Sequence, residues 1–198
     1  MELGILVSLI GFAFATSATP GPNTLMLLAS GVNYGFRRTI PHMLGIGVGF
    51  LALLLCVGFG LGALLEQMPA LYLALKFTGG AYLVYLAWRI AMARSIGEGG
   101  KTGTRPMSFV EAAAFQWVNP KAWVMAIAAM ATFTNADNLT LSTILVALVF
   151  FFVNIPSASI WTVCGAMLRE WLSHPTRLKV FNISMAILLV VSLWPMLR

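Results

Sequence analysis

Two short polar stretches interrupt long apolar runs, and each sets proline beside groups that bind charge. The first is Pro20-Gly21-Pro22-Asn23, followed by Thr24; the second is Asn119-Pro120-Lys121, preceded by Gln116. Proline lacks an N–H and crowds the carbonyl four residues back, so it opens a helix. Pro20 is expected to free the carbonyl of Thr16, Pro22 that of Ala18 and Pro120 that of Gln116. A helix restarting at Pro22 presents the N–H groups of Asn23 and Thr24, and proline suits its first position. Such a terminus attracts a carboxylate, whereas an ammonium prefers the freed carbonyls. One broken helix can therefore hold both ends of a zwitterion. Lys121 adds a cation able to meet a carboxylate or exchange a proton. Asn154, close to Pro156, is a further polar group inside an apolar run.

What must position these residues follows from composition. The chain is 60% hydrophobic and 9% charged, with a mean hydropathy of +0.90. Soluble domains carry about 25% charged residues. A chain of this size keeps too large a surface to hide so much apolar side chain. Lipid is its natural solvent, and the expected fold is an all-α integral membrane protein. Allowing about 20 apolar residues per crossing gives six spans, near 4–32, 43–65, 69–88, 109–134, 140–167 and 180–197. The polar stretches then fall in the middle of spans one and four, and Asn154 lies at central depth in span five.

The net charge of +6 does not mark a nucleic-acid surface, because the basic residues stand singly or in pairs between apolar runs. It marks topology. Arg37, Arg38, Arg89, Arg94, Lys101, Arg105, Arg169, Arg177 and Lys179 all follow odd-numbered spans, which is nine of the twelve basic residues. Glu2, Glu66, Asp137 and Arg198 take the other side. The positive-inside rule makes the basic side cytoplasmic and puts both termini outside. Trp88, Trp171 and Trp194 fall near the expected interfaces, where indoles settle. With Glu2 and no Lys or Arg before Arg37, the first run reads as a retained span, not a cleaved signal.

Residues 93–108 form the longest polar segment and read as a cytoplasmic linker between a first three-helix half, 1–92, and a second, 109–198. The halves repeat in layout: Pro22 and Pro120 are 98 positions apart. Three spans is an odd number, so the second half enters from the opposite side and the repeats are inverted. Interrupted helices in matching positions of inverted repeats are the sequence pointer to a secondary transporter's site. Lys121 fits that reading. A lysine near the bilayer centre costs about 2.5–3.5 kcal/mol on insertion scales, and Lys121 lies too far from either interface to snorkel.

Other polar residues have plainer readings. Lys76 is expected to snorkel, Glu111 to be a solvated mouth residue, and His42 and His174 to be solvated on the basic side. Cys56 and Cys164 are read as buried small hydrophobes, without redox or zinc spacing. The glycines at 45, 47, 49, 58, 60 and 62 lack the strand–turn–helix setting of a nucleotide loop and instead let helices approach.

The segments "ATPGPN", "GFRRTIPHMLGIGVGF", "FTGGAYLVYLAW" and "FQWVNPKAW" make the chain resemble the LysE/RhtB family of bacterial amino-acid exporters across nearly its whole length. The resemblance implies a six-span inner-membrane protein that exports an amino acid or close derivative, driven by protons, with a homodimeric assembly. It implies no enzymatic activity and no cofactor. It places the substrate cavity at Pro20, Gly21, Pro22, Asn23, Asn119, Pro120 and Lys121. The residues themselves say nothing of direction. The lack of a mid-membrane carboxylate argues for a neutral amino acid over a cationic one.

Two rivals share the span layout. A transmembrane thiol reductase needs reactive cysteines beside the breaks, and Cys56 and Cys164 lie in spans two and five. A divalent-metal permease needs several carboxylate or carbonyl oxygens, and Lys121 repels its ion.

Overall fold

A computed structural model describes residues 2–62, 67–93, 96 and 105–194. Glu66, Arg94, Lys101, Arg198 and most of the expected linker lie outside the described residues. The described part is all-helical. Its α-helices are α1 Leu3–Ala18, α2 Pro22–Tyr34, α3 Phe36–Cys56, α4 Pro69–Ala91, α5 Phe109–Val118, α6 Pro120–Phe133, α7 Leu139–Leu168 and α8 Pro175–Val191. The α3 rod continues through a π-turn, Val57–Leu61.

Two stretches, Phe36–Leu61 and Ala136–Leu168, are long and apolar enough to cross a bilayer unaided, being 26 and 33 residues. The pair α1 and α2 passes the same criterion as one span bent by 59°. Outward faces are apolar as well: Val110, Phe77 and Met167 are 72%, 68% and 76% exposed. Water rejects a surface of that kind, and lipid tails accept it. Trp88, Trp171 and Trp194 are exposed too.

Glycines fix the joints. Gly35 alone separates α2 from α3, with φ 82°, a left-handed conformation open to glycine at no steric cost. Gly60 turns the π-turn with φ 110°. Elsewhere the glycines work by smallness. A Cβ on Gly31 of α2 would strike the Thr162 carbonyl of α7, and one on Gly165 of α7 would strike the Leu28 carbonyl of α2. Gly45 and Gly49 of α3 meet the Phe109 and Ala113 carbonyls of α5 in the same manner. Backbones thus approach closely at both crossings, as small residues allow in membranes.

The long α7 is the hub, packing on α1, α2 and α3; α3 also packs on α5, and α4 lies along α8. Two apolar clusters result. One holds Met26, Leu27, Ile46, Leu83, Leu86 and Phe115 toward the basic ends. The other holds Leu9, Phe50, Leu53, Ala126, Met130 and Phe150 toward the opposite ends.

Several plain readings need correction. His42 is 1% exposed inside α3, because it precedes the helix's close crossing with α5 by one turn. Cys164 is exposed and Cys56 half-buried, since both point away from the glycine-lined crossings. Met107 of the linker is buried in the first cluster, whereas Arg105 is exposed, and Glu111 of α5 is held by Arg105 and Arg89. His174 is exposed, as expected.

Candidate functional site

The two breaks are built alike. Helix α1 ends at Ala18, Thr19 is extended, and α2 restarts at Pro22 with Gly21 as its cap. The hydroxyl of Thr24 accepts from the Gly21 N–H at 2.8 Å and donates to the Gly21 carbonyl at 2.9 Å. Helix α5 ends at Val118, and α6 restarts at Pro120 with Asn119 as its cap. The Asn119 Oδ1 accepts from the Lys121 N–H at 3.1 Å. In each case the residue before proline is pushed out of the helical region by the ring, and a polar side chain satisfies an N–H the break leaves open.

Both breaks meet. Lys121 Nζ donates to the Thr19 carbonyl at 2.6 Å, across 102 positions of sequence. The Asn23 and Gln116 amides pair reciprocally: Asn23 Nδ2 donates to Gln116 Oε1 at 2.8 Å, and Gln116 Nε2 donates to Asn23 Oδ1 at 3.2 Å. Gln116 also donates to the Ala112 carbonyl at 3.0 Å. Gln116 and Asn119 are buried almost completely. A Cβ on Gly21 would sit 2.9 Å from Lys121 Cδ and 3.1 Å from its Nζ, so the glycine is what leaves room for the lysine.

Around these contacts lies a cavity of about 30 Å³. That is room for water among polar groups. Gly21, Asn23, Thr24, Gln116, Asn119, Lys121 and Asn154 line it. Pro20, Pro22 and Pro120 shape it from behind without lining it. Among the residues lining it none is Asp or Glu. The Lys121 ammonium therefore faces amide dipoles and one carbonyl with no anion beside it, a setting that favours a carboxylate ligand.

Two of the three freed carbonyls find protein partners. Trp161 Nε1 donates to the Ala18 carbonyl at 3.2 Å, and the Asn119 N–H to that of Gln116 at 3.4 Å. Trp161 was not anticipated, nor were Ser17 and Ser157, which also line the cavity. Ser17 is buried with its hydroxyl unpartnered. The signal existed for α7: Asn154, Ser157 and Trp161 follow one another at three and four residues, one face of a helix.

Glu111 stays out of the cavity. It caps α5 with Ser108 and gives both oxygens to Arg105 at 2.7 Å each. That pairing raises the pKa of the Arg105 guanidinium. Arg89 approaches the same carboxylate at 3.9 Å.

Comparison with known proteins places the chain in a family. A cysteine/O-acetylserine efflux protein of Escherichia coli O1:K1 / APEC is 32% identical over 185 residues, covering 90% of each chain. The protein of that description from Salmonella paratyphi A is 33% identical, and that from Escherichia coli K12 is 31% identical, each with the same coverage. No solved structure matches the chain. The family described as LysE type translocator matches residues 14–193, both breaks included, and this chain belongs to that family of transporters, not enzymes.

Proposed function

We propose that the chain is a secondary active transporter that exports a small neutral amino acid, or a close derivative such as its O-acetyl ester, across the bacterial inner membrane in exchange for protons. The observation that carries this reading is the Lys121 ammonium, bridged to the Thr19 carbonyl where two broken helices meet in one polar cavity. The substrate carboxylate goes to Lys121 and to the N–H groups at the start of α2. Its ammonium goes to the carbonyl and amide oxygens of Thr19, Asn23 and Gln116. The charge of Lys121 disfavours a metal dication in the same place, and the two cysteines lie away from the breaks. The names of the curated relatives support cysteine and O-acetylserine as first candidates.

The proposed architecture is six spans as two inverted three-helix repeats, joined by the 93–108 linker, with both termini outside and a homodimeric assembly. It is supported by helices in corresponding places packing on each other: α3 on α7 and α4 on α8. A two-fold axis in the membrane plane brings such mates together where they lie beside it.

A counterflow panel in proteoliposomes tests the reading. Vesicles loaded with each of the twenty amino acids, or with O-acetylserine, are offered the labelled compound outside. Exchange is expected for one or a few small neutral compounds, with acidification when net flux is driven. Exchange with no amino acid, or with cationic ones only, contradicts it.

A further inference from the structure

A second cavity, of about 50 Å³, lies one apolar layer from the first and is lined by His42, Arg89 and Arg105 among others. On α2 the first cavity centres on Thr24 and the second on Ser30. Six residues of helix separate them by about 9 Å. On the antiparallel α3 the order reverses: Phe50 and Ile46 line the first and His42 the second. Between them sit Leu27, Ile46 and Phe115 of the buried cluster. The cavities are thus stacked along one line, with an apolar seal between.

The chemistry of the second cavity is unfinished. His42 is 1% exposed, and neither ring nitrogen has a partner. A buried polar group left so is costly and needs an explanation. Its polar neighbours are already engaged: Ser30 shares a hydrogen bond with Thr39 at 2.8 Å, and Asn33 donates to the Ala29 carbonyl and pairs with Asn182. Glu111 is committed to Arg105, while Arg89 stands 3.9 Å from it and donates to the Arg105 carbonyl at 2.9 Å. Among the described residues, Arg89 and Arg105 share the one carboxylate of Glu111, and Arg89 is the more loosely held, at 3.9 Å against 2.7 Å. The Arg105 side chain, 57% exposed, marks the mouth.

We infer that this cavity is an inner staging site for the transported amino acid. The carboxylate of a substrate arriving from the basic side docks on Arg89, and its ammonium donates to a ring nitrogen of His42. From there the molecule passes to the central cavity as the Leu27–Ile46–Phe115 seal opens. This inference rests on the reading of the chain as an amino-acid carrier.

The test is the apparent affinity for labelled cysteine, measured separately from each membrane face in proteoliposomes of defined orientation. In His42→Ala and Arg89→Gln, the KM at the basic face should rise roughly ten- to hundredfold, as for loss of one hydrogen bond to a charged group. The rise should be confined to that face. His42→Gln, which keeps a polar head in the cavity, should recover at least part of the affinity if alanine disturbs folding. An unchanged KM at the basic face in both first variants overturns the staging site. So does an equal rise at both faces, which is what general structural damage gives. Wild-type protein that exchanges none of the panel compounds overturns the carrier reading, and the site with it; wild-type exchange with unaffected variants overturns the site alone.

Discussion

Lys121 and Gly21 act as one unit. The ammonium reaches the Thr19 carbonyl because Gly21 has no Cβ where the lysine stem passes. Gly21→Ala should therefore move the charge by a fraction of an ångström to about 1 Å and slow exchange roughly ten- to hundredfold, with expression unchanged. Exchange at the wild-type rate in that variant would separate the glycine from the site. The Asn23–Gln116 pair makes a second residue-scale prediction. Each single alanine variant strands a buried amide, so the double variant should be less damaged than the sum, with a coupling of about 0.5–3 kcal/mol. Thermal unfolding of the four proteins in detergent measures it, and strict additivity would mean that the two amides do not pair. Much of this was legible in the sequence, because proline, glycine and a lysine in an apolar run are each costly without a purpose. What was not legible was partnership. That Asn23 meets Gln116 and that Trp161 caps the Ala18 carbonyl depends on helix placement, which no local pattern encodes.

At the scale of elements, the breaks are made by capping and the cavity is held by helix crossings. The α2–α7 crossing is reciprocal: Gly31 faces α7 backbone, and Gly165 faces α2 backbone. Alanine at either position forces the helices apart, at about 1–3 kcal/mol for an overfilled contact. For a chain of this size that lowers Tm by roughly 2–4 °C per kcal/mol. Gly31→Ala and Gly165→Ala should thus melt about 2–12 °C lower, while Gly11→Ala, with nothing near its Cβ position, should not move. Equal melting of all three would contradict the crossing. Helix limits near 69, 109, 139 and 168 follow the apolar runs, because length and hydropathy are local properties, but α3 and α8 begin well before the runs at 43 and 180, at Phe36 and Pro175. His42 shows where that reading stops. Sequence placed it on the basic side but could not show that α3 turns it inward, since burial depends on which helix packs against it.

At the scale of the whole molecule, nine basic residues after odd-numbered spans and the self-pairs α3–α7 and α4–α8 are the two observations that support the proposed inverted architecture. Impermeant maleimide on a background with Cys56 and Cys164 changed to serine tests the orientation. Glu2→Cys should label in intact cells, and Arg169→Cys only after permeabilisation; the reverse pattern would turn the protein over and put the second cavity at the outer face. The central cavity itself sits between two apolar clusters, and in the proposed mechanism each opens in turn around the Lys121 ammonium. The most direct measurement of that claim is counterflow of labelled cysteine by reconstituted Lys121→Met, alongside the wild type at matched protein per vesicle. The wild type should exchange, and the variant should insert normally yet fall to the rate of empty vesicles. Exchange by the variant at the wild-type rate would show that the charge joining the two broken helices takes no part in carrying the substrate.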